Sequence, residues 1–308
     1  MQTDDVITMR KPVSGFFLLD SGDRNLTGAT STITPDTQPW NDFRIVKPQP
    51  LLDGFGKNIG ITEILFPWTI PNINTYNNTF YMTFDTGGVQ TITIPTGFYT
   101  GSTLADAIQT AFDALVGIGG DAPTITYNEA SRTFTITQVG GNTFTLYNIL
   151  GAASFDNWVK NASLLKTMGF TISQIGVSVN TSVSSSTTFL RYTDYVDIVS
   201  SRLHYDNEIK DGDSSQKTIR DVLCRIYCST EVSLYSVDEV GTAPFMIHRQ
   251  FMTPKYIRLN PQQFFNSIDI QVLDQYGNLV YIPPYSNTGG LTNYVYPDFK
   301  LTFVSSEQ

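Results

Sequence analysis

The chain has 308 residues, of which 15% are charged, 41% hydrophobic and 13% aromatic. This apolar content excludes intrinsic disorder, because it suffices for one large core or two medium ones. The net charge of −9 argues against a chain that holds nucleic acid through its phosphates, since that task needs a basic surface.

The N-terminal residues 1–39 are polar and turn-rich around one apolar patch, formed by Phe16, Phe17, Leu18 and Leu19. Two interpretations stay open. The patch belongs either to an arm that packs under a neighbouring subunit or to the first strand of the subunit's own sheet. The N-terminus lacks the basic and apolar segments of a signal peptide, and no apolar run reaches the roughly 20 residues that span a bilayer. We therefore expect no membrane span.

Alternation of polar and apolar residues predicts antiparallel strands along most of the chain. Residues 91–94 and 133–137 alternate threonine with isoleucine or phenylalanine, the pattern of a half-buried strand. Three turns that contain glycine predict hairpins. These hairpins join residues 80–85 to 90–94, residues 136–139 to 143–146, and residues 268–273 to 279–282.

One clear helix is predicted, at residues 103–116. Thr103 followed by Asp106 resembles a capping box, and Gly117 ends the helical pattern. A stripe with spacings of three or four residues marks the buried face, namely Leu104, Ile108, Phe112 and Leu115. A second, shorter helix is predicted at residues 162–168. So few helices exclude a doubly wound parallel sheet, and the predicted fold class is mainly β.

Shifts in composition along the chain predict a nested organisation. Residues 40–79 and 190–308 carry aromatic and aliphatic strands, as expected for a β-sandwich. Residues 80–189 are rich in Gly, Thr and Asn, contain the helix, and form a smaller α+β insertion. The polar run at 178–188 reads as an exposed connector.

Residues that could carry catalysis are few. His204 and His248 are the only histidines, and each is a single polar position on a predicted strand. Three carboxylates, Asp194, Asp197 and Asp269, lack the recognisable spacing of a glycosidase pair. We therefore expect no catalytic residues, no cofactor and no enzymatic activity.

No metal site is expected either. Cys224 and Cys228 have no histidine or further cysteine nearby to complete a tetrahedral ligand set. Four residues along one strand separate them by roughly 13 Å, beyond the reach of a disulfide, so we expect free thiols in a reducing compartment. The loop 211–222 begins like a calcium loop but has Gln216 at the sixth position and Val222 at the twelfth.

Four short motifs follow one another along the chain. They are Asp-Ser-Gly-Asp-Arg at 20–24, Ile-Pro-Asn-Ile-Asn-Thr-Tyr-Asn at 70–77, Ile-Pro-Thr-Gly-Phe-Tyr-Thr at 94–100, and Met-Gly-Phe at 168–170. In this order the chain resembles the penton and minor capsid proteins of virophages and related large double-stranded DNA viruses. Its segment 268–278 is similar to the closing strands of their jelly rolls.

The resemblance implies a single jelly-roll β-sandwich with the insertion directed outward. It also implies a homopentamer at the five-fold vertices of a capsid, in contact with the major capsid protein. The chain would be made in the host cytoplasm or a viral factory and would not contact nucleic acid directly.

Two further surfaces are candidates for contact with partners, and each has a structural alternative: the insertion could be a purely structural cap, and the loop 285–293 an ordinary exposed connection. A receptor could bind the insertion through Tyr99, Tyr127 and Tyr147, and the loop 285–293 is a second candidate for contacts between subunits. The alternative function is an adhesin or lectin-like β-sandwich that binds glycans on a host surface.

Overall fold

The alternating segments of the sequence form strands in the structure, which is a computed structural model. The residues that it describes are 15–21, 41–46, 58–68, 70–84, 88–115, 122–138, 140, 142–188, 190, 192–201, 203, 222–227, 245–253, 256–258, 267–280 and 300–306.

Within these ranges the chain forms sixteen strands, three α-helices and one 3₁₀ turn. The strands are β1 (Gly15–Asp20), β2 (Asp42–Val46), β3 (Asn58–Trp68), β4 (Thr79–Phe84), β5 (Gln90–Thr93), β6 (Thr124–Asn128), β7 (Thr133–Thr137), β8 (Phe144–Tyr147), β9 (Ser178–Val179), β10 (Ser182–Ser184), β11 (Tyr195–Val199), β12 (Val222–Tyr227), β13 (Phe245–Gln250), β14 (Tyr256–Arg258), β15 (Ser267–Asp274) and β16 (Lys300–Ser306). The helical elements are α1 (Gly101–Asp113), α2 (Phe155–Lys160), α3 (Leu164–Thr167) and the 3₁₀ turn Ile172–Gln174.

Two antiparallel sheets build the larger part of the fold. One has the order β1-β16-β3-β13, with β14 also paired to β3, and the other has the order β12-β11-β15-β2. The pairs nest along the chain: β1 with β16, β2 with β15, β3 with β13, and β11 with β12. A long antiparallel hairpin wrapped into two sheets in this way is a jelly roll. The predicted fold class, a mainly β single jelly roll with an α+β insertion, is confirmed.

One hydrophobic core fills the space between these two sheets. The longest strand, β3, contributes Ile59, Ile64 and Phe66, each fully buried, and β16 contributes Phe303 from beside it. The facing sheet contributes apolar side chains such as Ile270. Because alternate residues of a strand point to opposite faces, the same strands leave their other side chains on the outer surfaces.

The chain between β3 and β11 forms a second structure with its own core. It has two antiparallel sheets, β5-β4-β8-β9 and β10-β7-β6, together with α1, α2 and α3. The inner residues of both sheets and the apolar stripe of α1 share one hydrophobic cluster, in which Phe80, Phe112 and Phe134 are fully buried. The outer residues of these sheets are mostly threonine and serine.

The predicted hairpins have different outcomes. The first is confirmed, because β4 and β5 pair directly. In the third, Leu273 bridges Leu279 across a tight turn that contains Gly277 at φ 87°, and residues 281–282 of the predicted partner strand lie outside the described part. The second is wrong: β7 pairs with β6 and β10, whereas β8 pairs with β4 and β9. Gly140, at φ 87°, lies where the chain passes from one sheet to the other.

The helix predicted at 103–116 is present, but it begins earlier. It spans Gly101–Asp113 and its N-cap is Thr100, whose hydroxyl accepts a hydrogen bond from the Thr103 amide. The Thr103 hydroxyl in turn accepts from the Thr100 amide, which completes the capping box. The predicted cap at Thr103 is therefore wrong by one turn. The shorter helix predicted at 162–168 corresponds to α3, while α2 was not predicted.

Candidate functional site

Three of the four motifs that carry the resemblance meet at one place, where the chain leaves β3 for the insertion. Asn72 binds the backbone of Tyr99 in both directions: its Nδ2 donates to the carbonyl oxygen at 2.7 Å, and its Oδ1 accepts from the amide at 2.9 Å. Beside this clamp, Ile73 and Gly97 exchange two backbone hydrogen bonds. The motifs at 70–77 and 94–100 are thus held together, although 27 residues separate Asn72 from Tyr99.

Asn77 links the third motif to this clamp. It is fully buried, and its Nδ2 donates to the Asn72 carbonyl oxygen at 2.8 Å and to the Thr167 hydroxyl at 3.0 Å. Thr167 ends α3, and the motif Met-Gly-Phe follows it directly. Gly169 has φ +86°, and an added Cβ would lie 2.6 Å from the Ser186 carbonyl oxygen, so glycine is required there. We call residues 70–77, 94–100 and 167–170 the motif cluster.

The motif cluster borders the sandwich. The Tyr76 hydroxyl donates to the Leu279 carbonyl oxygen at 3.1 Å, and the Lys166 ammonium lies 5.0 Å from the centre of the Tyr276 ring. The turn that holds Tyr276 and Leu279 is fixed by Asp274. Polar side chains buried at such a junction determine the path of the chain, so the cluster has a structural role.

Asp274 is a buried carboxylate at this junction. It accepts hydrogen bonds from the Tyr192 hydroxyl at 2.7 Å and from the amides of Tyr276 and Asn278 at 2.9 and 2.8 Å. Burial raises the pKa of Asp274, because it penalises the charged carboxylate by more than these donors stabilise it. Burial also raises the pKa of Tyr192, and the neighbouring Asp274 carboxylate adds to that effect.

Two of the carboxylates considered for catalysis, Asp197 and Asp269, bind protein groups in the sandwich. Asp197 is fully buried and receives two hydrogen bonds from Arg225, at 2.6 and 3.0 Å. Asp269 accepts from Ser200 and Ser201. The backbone amide of Asp194 donates to the Gln275 side chain. The carboxylates of Asp197 and Asp269 are thus held by different protein groups.

His248 lies on β13, where its Nε2 is 2.6 Å from a carboxylate oxygen of Glu63 on β3. This partner holds the pKa of Glu63 below its ordinary value. His204, Cys228 and residues 211–221 of the predicted calcium-like loop lie outside the described residues. In the part of the chain that is described, no cluster of three or more His, Cys, Asp or Glu side chains could hold a metal ion. Nor does any helix there have the length and apolar character needed to cross a bilayer.

The three tyrosines predicted to bind a receptor lie in different surroundings. The Tyr99 hydroxyl donates to the Pro95 carbonyl oxygen at 2.9 Å, and Tyr99 packs against the insertion core. Tyr127, on β6, contacts Phe134 at a ring distance of 4.8 Å and also packs on that core. Tyr147 lies on β8, a strand of the other sheet, directly opposite Tyr81 of β4.

Tyr81 was missed by sequence reasoning, although the alternation of residues 79–84 places it on the outer face. Tyr81 and Tyr147 are both half-buried among outward threonines. Within the described residues, neither phenol hydroxyl makes a side-chain hydrogen bond.

The apolar patch of residues 16–19 lies on β1, which pairs with β16 at the edge of the first sheet. Residues 15–20 form a strand of the subunit's own sheet, which is the second of the two interpretations given for the apolar patch. Leu19 points into the core, whereas Leu18 is 59% exposed on the outer face. The loop predicted at 285–293 lies outside the described residues.

No protein-family model and no curated protein matches the chain. Among solved structures, the chain is similar to the crystal structure of the mavirus penton protein, with 13% identity and a TM-score of 0.48 over 96% of this chain and 99% of that chain. It is also similar to a chain of the Sputnik virophage structure determined by cryo-EM, with 12% identity and a TM-score of 0.41 over 96% and 98%. The assignment of the fold rests on the strand pairing given above.

Proposed function

We propose that this chain is a structural virion protein, a penton subunit that forms homopentamers at capsid five-fold vertices and contacts the major capsid protein. The observation that carries the proposal is the combination of jelly-roll pairing with the motif cluster. Jelly rolls are a recurrent architecture of viral capsids. Three of the four motifs that carry the resemblance meet at the base of the insertion, which supports a shared architecture rather than a chance order of short matches.

The two outer faces of the sandwich support assembly into a ring. Subunits in a closed ring meet through two different surfaces, so each copy needs two distinct faces. The outer face of β12 and β11 carries Tyr227, 56% exposed, and Arg225, whose guanidinium lies 3.9 Å above the Tyr195 ring. Tyrosine and arginine, with tryptophan, are enriched among the residues that contribute most binding energy at protein interfaces. The opposite sheet presents a different surface, with Leu18 and Met246 exposed.

The charges of the chain are consistent with a role among other proteins rather than a catalytic one. The carboxylates Asp197, Asp269 and Asp274 all bind protein groups inside the fold. The net charge of −9 does not suit contact with a genome. We propose that the chain lies at the capsid vertex and has no enzymatic activity.

Native mass spectrometry of the full chain tests this proposal. We expect a species of five times the 34.3 kDa subunit mass, and negative-stain images with five-fold symmetry. Co-expression with a major capsid protein should place the chain at particle vertices. A stable trimer that binds saccharides on a glycan array would contradict the proposal and favour the adhesin alternative. A monomer at all concentrations that stays out of co-expressed particles would also contradict it.

A further inference from the structure

The buried carboxylate of Asp274 lies where the sandwich meets the insertion. Only 1% of the residue's surface is exposed, and it ends β15 at the turn that leads to Leu279. Buried carboxylates are usually paired with a cation, because burial of a lone charge is costly. The surroundings of Asp274 therefore decide in which charge state the joint is most stable.

Four uncharged groups donate hydrogen bonds to Asp274. Its Oδ1 accepts from the amides of Tyr276 and Asn278, at 2.9 and 2.8 Å. Its Oδ2 accepts from the Tyr192 hydroxyl at 2.7 Å and from the Asn278 Nδ2 at 3.4 Å. Within the described residues Asp274 forms no ion pair. The Lys166 ammonium approaches this turn but lies over the Tyr276 ring, at 5.0 Å from its centre.

Other titratable or charged groups lie around Asp274 on three sides of the joint. Tyr192 and Asp194 belong to the segment before β11, Tyr276 to the turn, and Tyr76 and Lys166 to the insertion. Burial, and after it the charge of Asp274, raises the pKa of Tyr76 and of Tyr192 above the ordinary value of about 10. Both phenols therefore stay protonated at neutral and acid pH, and Asp194 is exposed. Asp274 is the buried group of this set that changes its charge in acid.

The two oxygens of Asp274 differ in what a proton would displace. Oδ1 accepts from two backbone amides, which can only donate, so a proton on Oδ1 would disrupt the turn. The closest partner of Oδ2 is the Tyr192 hydroxyl, and a hydroxyl can accept as well as donate. A proton on Oδ2 can therefore be donated to the Tyr192 oxygen, while Oδ1 keeps both amides.

We propose that Tyr192 and Asp274 form a proton-binding site at the joint, which takes up a proton on Oδ2 as the pH falls and thereby stabilises the joint. The proton removes an uncompensated buried charge and leaves the hydrogen bonds of the turn in place. The same turn contacts the insertion through the Leu279 carbonyl oxygen and the Tyr276 ring. This inference concerns a joint within one chain and does not rest on the proposed function.

The direction of the effect on stability follows from the pKa of Asp274, which burial raises. The folded pKa lies above the unfolded pKa, which is about 3.9 for an aspartate. The contribution of this site is therefore fully present below the unfolded pKa and is lost as the pH rises through the folded pKa. Carboxylates that the fold stabilises in their ionised form act in the opposite direction, so a comparison of variants is needed to isolate the site.

The test uses two variants and a control in the full chain. Asp274→Asn is a neutral replacement of the same shape, whose Oδ1 can accept from both amides and whose Nδ2 can donate to the Tyr192 oxygen. Tyr192→Phe removes the hydroxyl that exchanges its role. Asp106→Asn is the control, because Asp106 is an exposed carboxyl on α1.

Carbon-13 NMR of chains labelled at the aspartate carboxyl carbons measures the titration of Asp274 directly. Its signal is the one that Asp274→Asn lacks, and we expect a midpoint above the ordinary value of about 3.9. In Tyr192→Phe the midpoint should rise further, since the ionised carboxylate loses a donor. A midpoint at or below the ordinary value would overturn the inference. If Asp274→Asn does not fold, the signal that moves in Tyr192→Phe identifies the residue, and the absence of any such movement would overturn the inference as well.

Urea unfolding and hydrogen exchange measure the effect on the joint. At pH 7 we expect Asp274→Asn to unfold at a higher urea concentration than the unmodified chain, and this gap should close as the pH falls to 3. Asp106→Asn should follow the unmodified chain. At pH 7 the amides of Tyr276 and Asn278 should exchange more slowly in Asp274→Asn than in the unmodified chain. An Asp274→Asn variant that is less stable by the same amount at every pH, or that leaves the exchange of these amides unchanged, would show that Asp274 is only a structural acceptor.

Discussion

Two carboxyl groups on β15 show how local contacts decide the charge of a side chain. Asp274 is almost fully buried, and burial raises its pKa despite several donors. Asp269 is less buried. Burial again acts to raise its pKa, but the hydrogen bonds from Ser201 and Ser200 outweigh burial and lower the pKa below the ordinary value. The same residue type on the same strand is therefore shifted in opposite directions.

Replacement of Asp269 by asparagine should flatten the response of the fold to acid. Because the folded pKa of Asp269 lies below the unfolded pKa, its ionised form stabilises the fold above the unfolded pKa, and this contribution is lost as the pH falls through the folded pKa. Asp269→Asn should therefore lower the free energy of unfolding at pH 7 and have little effect near pH 3. Urea unfolding at pH 7, 5 and 3 measures the difference.

Asp106→Asn is the matched control, since Asp106 is an exposed carboxyl on α1. Its urea unfolding curves should shift with pH in parallel with those of the unmodified chain. If the free energy of unfolding of Asp269→Asn also changes with pH in parallel with that of the unmodified chain, then the serine contacts do not stabilise the ionised carboxylate.

At the scale of single elements, the structure and the sequence prediction differ in the residue at which α1 begins. Thr100 is the N-cap residue, and replacing it with alanine leaves the Thr103 amide without its acceptor. We expect Thr100→Ala to lower the free energy of unfolding by about 1 kcal/mol, the usual cost of losing such a cap. Chemical denaturation followed by circular dichroism measures this loss.

The comparison variant is Asp106→Ala, which removes the residue that the sequence pattern placed in the capping box. Its side chain is exposed one turn into the helix, and we expect a change close to zero. Equal losses for Thr100→Ala and Asp106→Ala would mean that the helix begins where the sequence predicted.

Turns explain most of the differences between the predicted and the observed elements. The hairpin of β6 and β7 was not predicted as such because its turn, 129–132, contains no glycine. Instead, Arg132 takes a φ of 54°, and the Asn128 side chain accepts from the Ser131 amide. The reverse happened between β7 and β8, where glycines at 140 and 141 suggested a hairpin that does not form. Glycine permits a change of direction but does not determine which strand is reached.

The apolar stripe of α1 was predictable because its spacing reports one buried face directly. Leu104, Ile108 and Phe112 are all fully buried, as expected. The contacts of the motif cluster were not predictable from one sequence, since the Asn77–Thr167 hydrogen bond joins residues 90 positions apart. Such contacts depend on topology, which periodicity does not specify. The exposed face of α2 was missed because a helix of six residues is too short to show a period.

At the scale of the whole molecule, the chain is organised around two separate cores. The sandwich core and the insertion core share no residue. Two polar side-chain contacts join the two parts, one between Tyr76 and Leu279 and one between Lys166 and the Tyr276 ring. Polar junctions of this kind couple two folded units less strongly than a shared apolar core does. We therefore predict that the insertion can lose structure while the sandwich keeps its own.

Two fully buried phenylalanines allow this independence to be measured. Phe134→Ala creates a cavity in the insertion core and Phe303→Ala one in the sandwich core, each at an expected cost of about 3 to 5 kcal/mol. In scanning calorimetry we expect Phe134→Ala to lower the melting temperature of one transition and Phe303→Ala that of another. At temperatures below the upper transition, the Phe134→Ala variant should also retain a folded sandwich. A single transition that both variants lower equally would show one cooperative unit instead.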